Sequence, residues 1–407
     1  MVVCTKLSTY INESKITYMM KRIAIITFFH TEATICLANY LGRQNVEVDC
    51  YILCDYLRDK GSQPGINYHE VSKKLGIHKL CKNECPDLYT MTEGSKVHFF
   101  LLRIFSLSPK FYWLYKITVW ISMQKIKRRQ YDAINLVGQW PWVEYMHKLL
   151  KDTNIVHSLH EVGSHMGDKP THYIKTLIND QSKLIFHSSY LRDIFSKFDS
   201  RNQCKKKVIP FGLFEVTFHS DSNCVIPLSV NLDKITFLFY GFIKPYKGLD
   251  LLKSAYNRLS SVSDKFNLII AGAGDDPTLP FFREQENVCV INRFLSDDEM
   301  SYLNRVCQVV LLPYKSASQS GIIPTSFMYG NPVIATKVGA MPETIKHGEN
   351  GFLVNANDAQ GYADAMKMLI DDPQVLYKLH RGALAFGHGD EYDWNIIAKS
   401  TIKYLME

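Results

Sequence analysis

Ile235-Thr236-Phe237-Leu238-Phe239-Tyr240-Gly241-Phe242-Ile243-Lys244-Pro245-Tyr246-Lys247-Gly248-Leu249 joins three pieces. A β-branched and aromatic run comes first, then a glycine-bounded turn with two lysines, then a helical pattern that continues to Leu259. A short apolar strand feeding a helix through a tight turn is the repeating unit of parallel α/β architecture. Gly241 lets the backbone approach a ligand closely. Lys244 and Lys247 place positive charge beside the positive end of a helix dipole, where a diphosphate is the natural guest. Read alone, the turn fits an exposed loop whose lysines bind nothing better than it fits a site.

Working outward, the same strand-then-helix rhythm fills the chain. After Ile235–Tyr240 the expected strands are Asn267–Ala271, Asn287–Ile291, Gln308–Leu312, Pro332–Ala335 and Phe352–Val354. Before it they are Arg22–Phe28, Val46–Cys54, Tyr131–Val137, Asn154–Ser158, Lys183–His187 and Lys206–Ile209. Two series predict two Rossmann-like, doubly wound parallel-sheet domains facing a cleft at their strand C-termini, where such folds bind ligands. The expected boundaries are 1–19 for a tail, read either as a loose segment or as an upstream-start artefact, 20–215 for the first domain and 216–233 for a linker. Residues 234–385 make the second domain and 386–407 a C-terminal helix.

A second candidate site follows Gln308–Leu312. Ser318-Gln319-Ser320-Gly321-Ile322-Ile323-Pro324-Thr325 leads into a short helix that ends near Gly330. Ser320 suits the N-cap, Pro324 the first turn and Gly330 the C-terminal end. Backbone N–H groups from Gly321 onward would face the cleft and could meet a phosphate without a metal; a plain capped crossover helix reads the same way. Ala271-Gly272-Ala273-Gly274 lacks the third glycine and the ribose-binding acid of a dinucleotide fingerprint, and reads as a turn.

Composition sets limits. The 407 residues are 46% hydrophobic and 21% charged, ordinary for two globular domains. The ten cysteines form no CxxC pair, and they read as reduced structural residues of a cytoplasmic protein. No stretch approaches the roughly 18 to 20 apolar residues of a membrane span. Between Lys96 and Arg129, however, lie eight Lys or Arg, eight aromatics and no acid. Two readings stand: contact with an anionic membrane surface, or buried helices with a solvated basic face. No nucleic-acid module accompanies the segment.

From Tyr240 to about Asp372 the chain resembles the donor domain of family 4 glycosyltransferases, which have the GT-B fold. The matching residues are Lys247-Gly248-Leu249-Asp250, Leu312-Pro313, Gly330-Asn331-Pro332, Gly339-Ala340-Met341-Pro342-Glu343 and Glu349-Asn350-Gly351. Thinner matches precede them, among them His157-Ser158-Leu159-His160-Glu161 and Ile209-Pro210-Phe211-Gly212. The resemblance implies transfer of a sugar, with retention, from a nucleoside-diphosphate-sugar to a hydroxyl acceptor such as a glycan or lipid-linked glycan. No metal is expected, because the sequence offers no paired-aspartate motif and fixed positive groups would do that job, and no cofactor beyond the donor is expected. Lys247, helped by Lys244, would hold the diphosphate beside Gly241. Backbone groups of Ser320, Gly321 and Ile322 would contact the sugar or its phosphate. Arg293 would lie beside the base, with His160 and Glu161 on the acceptor side; those two also read as ordinary polar residues closing a strand. Glu343 reads as a cap on its own turn.

Three departures stand out. Ala317 and Thr325 occupy the places of two glutamates usual in the family, with Gln319 a stand-in for the first. Phe242 replaces an arginine, and Phe29-His30-Thr31-Glu32 replaces a glycine-rich loop. These departures keep two other classes open. One is a non-catalytic sugar-nucleotide binder or scaffold in glycan assembly. The other is a different two-Rossmann enzyme, such as a sugar-nucleotide epimerase or a nicotinamide dehydrogenase. The expected location is the cytoplasm, or the inner face of the membrane.

Overall fold

A computed structural model describes residues 20–28, 31–55, 74–106, 108–138, 141–162, 170–213 and 224–407. The tail at 1–19 and residues 216–223 of the expected linker lie outside these residues. Eight of the described strands build the first sheet. They are β1 (Arg22–Thr27), β2 (Glu47–Asp55), β3 (Gly76–Lys79), β4 (Val97–Ile104), β5 (Ala133–Val137), β6 (Ile155–Leu159), β7 (Lys183–Phe186) and β8 (Lys205–Val208). Six more build the second: β9 (Ile235–Tyr240), β10 (Phe266–Ala271), β11 (Val288–Ile291), β12 (Val309–Leu312), β13 (Val333–Thr336) and β14 (Gly351–Val354).

The second sheet runs β11-β10-β9-β12-β13-β14, and the first runs β3-β4-β2-β1-β5-β6-β7-β8. Every neighbouring pair is parallel except β3 with β4. Both orders reverse direction beside their first strand. A crevice therefore opens between β9 and β12, and another between β1 and β5, at the strand C-termini.

Alternate side chains of each strand feed opposite faces, and both faces are buried, so the strands read as continuous apolar runs. Ile23 and Ile25 join one core layer while Ala24 and Ile26 join the other. Phe237 and Phe239 divide from Leu238 and Tyr240 in the same way.

Two features differ from expectation. Strands β3 and β4 were not foreseen: the basic-aromatic segment divides into a buried strand, Val97–Ile104, and a helix, Tyr112–Lys127. Phe99, Phe100 and Leu102 fill the core from β4, so that part of the segment faces neither lipid nor water. The C-terminal helix, Trp394–Met406, crosses back to the first domain. Trp394, Ile397 and Leu405 pack in the layer containing Ile23 and Ile25, and the Trp394 indole donates to the Leu213 carbonyl at 2.6 Å.

Candidate active site

The turn after β9 is shaped by two glycines. Gly241 has φ 98°, and a Cβ there would stand 3.0 Å from the Lys247 ammonium. Pro245–Lys247 form one 3-10 turn, closed by Gly248 at φ 74°. A Cβ on Gly248 would lie 1.9 Å from the Pro313 carbonyl oxygen, so no side chain fits. This tight approach of the β9 turn to the end of β12 directs Lys247 inward. The side chain expected in an exposed loop is only 8% exposed.

The Lys247 ammonium lies 5.1 Å from the centre of the Tyr314 ring, a cation–π distance. Among the described residues no carboxylate pairs with it. Burial pulls its pKa below 10.5, against a smaller opposing effect of Tyr246. A buried ammonium without a carboxylate is an uncompensated charge, the kind of group that an anionic ligand can pair.

Lys247 forms part of a cavity of about 350 Å³. Tyr246 and Tyr314 stand beside it, and Gln319, Ser320, Gly321, Ile322 and Thr325 form the facing wall after β12. That wall is braced from β13. The Ala340 N–H donates to the Ser318 carbonyl, and the absent Cβ of Gly339 makes room for the Ala317 carbonyl. The helix starts one residue later than expected, over Ile322–Met328, with Gly321 at its N-cap. Ser320 instead accepts the Ile322 N–H through its hydroxyl, and the Thr325 hydroxyl donates to the Gly321 carbonyl.

Lys244 and Arg293 stand outside this cavity. Lys244 is exposed at the start of the 3-10 turn. Arg293 is exposed and spans both oxygens of Glu299 at 2.8 and 2.6 Å. Glu299 closes the capping box at Ser296, so the arginine is engaged in holding a helix start.

The first domain contributes Glu32 and Glu161, which line the same cavity from the ends of β1 and β6. An adjoining cavity of about 340 Å³ contains His160 and His187, and shares Gln319, Ser320 and both carboxylates with the first. His160 is buried, stacked on Phe211 at 4.9 Å and 4.7 Å from the His187 ring. His187 is itself fixed by the Ile209 carbonyl at 2.9 Å.

Glu343 corrects the sequence reading. Rather than capping its own turn, it accepts the N–H groups of Ser189 and Tyr190 at 2.8 and 2.6 Å. It therefore caps the helix Ser189–Phe198 of the other domain. No local pattern reveals a cap that bridges more than 150 residues of sequence. Tyr246 and Tyr314 were likewise missed as site residues, since aromatics at strand ends usually mean core. The described residues also group Glu47, Asp49 and His98 as a candidate metal cluster. Arg22 pairs with Glu47 at 3.0 Å and Arg129 with Asp49 at 2.6 Å, so both carboxylates already have cations.

A crevice with a buried cation at a sheet's reversal point can now be set beside known proteins. Residues 234–372 match the family model of glycosyl transferases group 1. This stretch is a group 1 glycosyl transferase domain. It contains Lys247 and the whole wall after β12. A D-inositol 3-phosphate glycosyltransferase of Acidothermus cellulolyticus is 29% identical over 207 residues, 46% of this chain and 45% of that protein. The chain thus spans just under half the length of that relative. One from Corynebacterium jeikeium is 23% identical over 286 residues, covering 66% and 67%.

Solved structures extend the likeness to nearly the whole chain. Sucrose-phosphate synthase from Thermosynechococcus elongatus superposes with a TM-score of 0.67 at 14% identity, covering 94% of this chain and 98% of that one. Anabaena HepE in complex with UDP and glucose gives 0.65 at 17% identity, covering 95% and 99%. These likenesses establish the GT-B architecture, with the group 1 domain as its second half.

Proposed function

We propose that the protein transfers a sugar from a nucleoside-diphosphate-sugar to a hydroxyl of a glycan or lipid-linked glycan, with retention and without a metal. The observation that carries this reading is the buried Lys247 ammonium, unmatched by any described carboxylate, on the wall of a cavity at the β9–β12 crevice. The donor diphosphate lies against Lys247, with the loop of Ser318–Gly321 on its other side. As the sugar–oxygen bond breaks, negative charge grows on the leaving diphosphate. A fixed ammonium in a water-poor site stabilises that charge without reorganisation.

Gln319, on the wall common to both cavities, holds the transferred sugar where the family usually has a glutamate. The acceptor enters from the side of His160 and Glu161, and its positioned hydroxyl meets the anomeric carbon. Two likenesses favour a uridine donor: HepE holds UDP with glucose, and a trehalose-6-phosphate protein of E. coli holds UDP-2-fluoro glucose.

The test is a panel of nucleoside diphosphates by thermal shift, followed by transfer from the matching sugar donor in the presence of a chelator. One nucleotide should raise the melting temperature, and turnover should persist with chelator present. A response to nicotinamide dinucleotides alone would favour a dehydrogenase. Donor binding without hydrolysis or transfer would make the protein a non-catalytic binder.

A further inference from the structure

The helix Tyr112–Lys127 is apolar on two faces. Tyr115, Val119, Met123 and Ile126 point into the core of the first domain. On the outer face Trp113 is 61% exposed, Ile117 51%, Trp120 51% and Ile121 45%. Spacings of four, three and one place these four on one side of a helix with 3.6 residues per turn. A helix that is apolar all round is ordinarily buried; this one turns two tryptophans and two isoleucines outward together, where contiguous apolar surface marks an interaction site.

Basic groups flank the stripe. Lys110, Lys116, Lys125 and Arg128 are exposed around it, and the helix itself contains no acid. Lys116 lies over the Tyr112 ring at 4.7 Å. Two cations of the wider segment serve the fold instead. Arg129 pairs with Asp49 at 2.6 Å, and Lys127 lies 3.7 Å from Asp152. No described helix is long and apolar enough to cross a membrane.

We propose that this face rests on an anionic lipid surface, with Trp113, Ile117, Trp120 and Ile121 in the headgroup boundary and the flanking cations on lipid phosphates. Charge chooses the occupant: an apolar stripe edged by cations with no acid among them complements a sheet of phosphates. The helix follows β4, whose C-terminal end faces the cleft, so the Trp113 end lies toward the cleft side of the sheet. Docking in this way would bring the cleft to the membrane, where a lipid-linked acceptor waits. The docking itself does not depend on the sugar-transfer reading.

The experiment is sedimentation of the full chain with phosphatidylglycerol-containing vesicles and with phosphatidylcholine vesicles, at low and physiological salt. Two variants accompany it: Trp113→Ser with Trp120→Ser, and Lys110→Gln with Lys125→Gln and Arg128→Gln. All the altered residues are exposed, and melting temperature with nucleotide binding checks that each variant folds. The wild type should prefer the anionic vesicles. The tryptophan variant should bind them at least tenfold more weakly, and the charge variant should lose the anionic preference and most of the salt sensitivity. Equal binding by wild type and tryptophan variant, or no binding at low salt, would overturn the proposal. So would a wild-type dimer that the tryptophan variant lacks, because the face would then belong to a second copy.

Discussion

The two domains reverse their strand order at corresponding places, yet their crevices present opposite charge. Between β9 and β12 the second domain holds one buried ammonium, Lys247, between Tyr246 and Tyr314. At the ends of β1 and β6 the first domain presents Glu32 and Glu161, with His160 behind them. One architecture carries a buried ammonium on one side and carboxylates and imidazoles on the other. The difference teaches that the backbone places a crevice, while a few side chains at strand ends decide what each half accepts.

The largest expected effect falls on the geometry that turns Lys247 inward. Gly248→Ala places a Cβ against the Pro313 carbonyl in a left-handed backbone conformation. It should cost about 3 kcal/mol or more and lower nucleotide affinity with it, as read by denaturant unfolding and titration. A glycine-to-alanine change at Gly94, also at positive φ but with open space around it, should cost clearly less. Equal losses would mean that close approach at β12 is not what shapes the site.

Next comes the link between the halves. Glu343→Ala leaves two N–H groups at the start of the helix Ser189–Phe198 without their carboxylate. A loss of about 1.5 to 3 kcal/mol is expected for charge-assisted hydrogen bonds, and Glu343→Gln should recover part of it. If thermal unfolding is unchanged by Glu343→Ala, the domains are not held together at this contact.

The smallest effect separates the domains by pH. His157 is buried in the first domain, between His147 at 3.0 Å and Tyr173 at 2.7 Å, with Asp180 on the far side of His147. Burial first, and His147 second, hold its pKa well below 6.5. The unfolded chain therefore takes up a proton near pH 6.5 while the folded chain does not. Stability is full above that pH and falls as pH drops below it. The loss should approach about 1 kcal/mol by pH 5.5 from this residue. His157→Gln should flatten that part of the profile. For Lys247, also depressed by burial, the same sign makes stability rise as pH climbs toward 10.5.

Much of this organisation was legible from sequence, for physical reasons. Runs such as Phe237–Tyr240 are apolar on both faces because helices cover both sides of the sheet. Their turns carry Gly241, Gly248 and Gly330 where positive φ is required. Lys247 was legible as a candidate for the donor site, but its burial was not, because that depends on the close approach of Pro313, 65 residues beyond Gly248. Strand β4 was hidden by Arg103, a buried arginine within an apolar run, and by the basic helix that follows. The Glu343 cap and the return of Trp394 to the first domain are contacts between distant segments, which no local periodicity records.

The role proposed for Lys247, an ammonium held in the cleft for a diphosphate, is tested by comparing turnover and melting temperature for the wild type and Lys247→Ala, each with the donor that the nucleotide panel selects. Losing the ammonium should lower turnover by roughly a hundred- to a thousandfold, about 3 to 4 kcal/mol of transition-state stabilisation. The melting temperature of the unliganded protein should hold or rise, because a buried charge without a carboxylate is removed. Lys247→Arg should restore activity only in part, since the planar guanidinium does not reproduce a compact ammonium. Unchanged turnover in Lys247→Ala would place the diphosphate elsewhere and contradict the account.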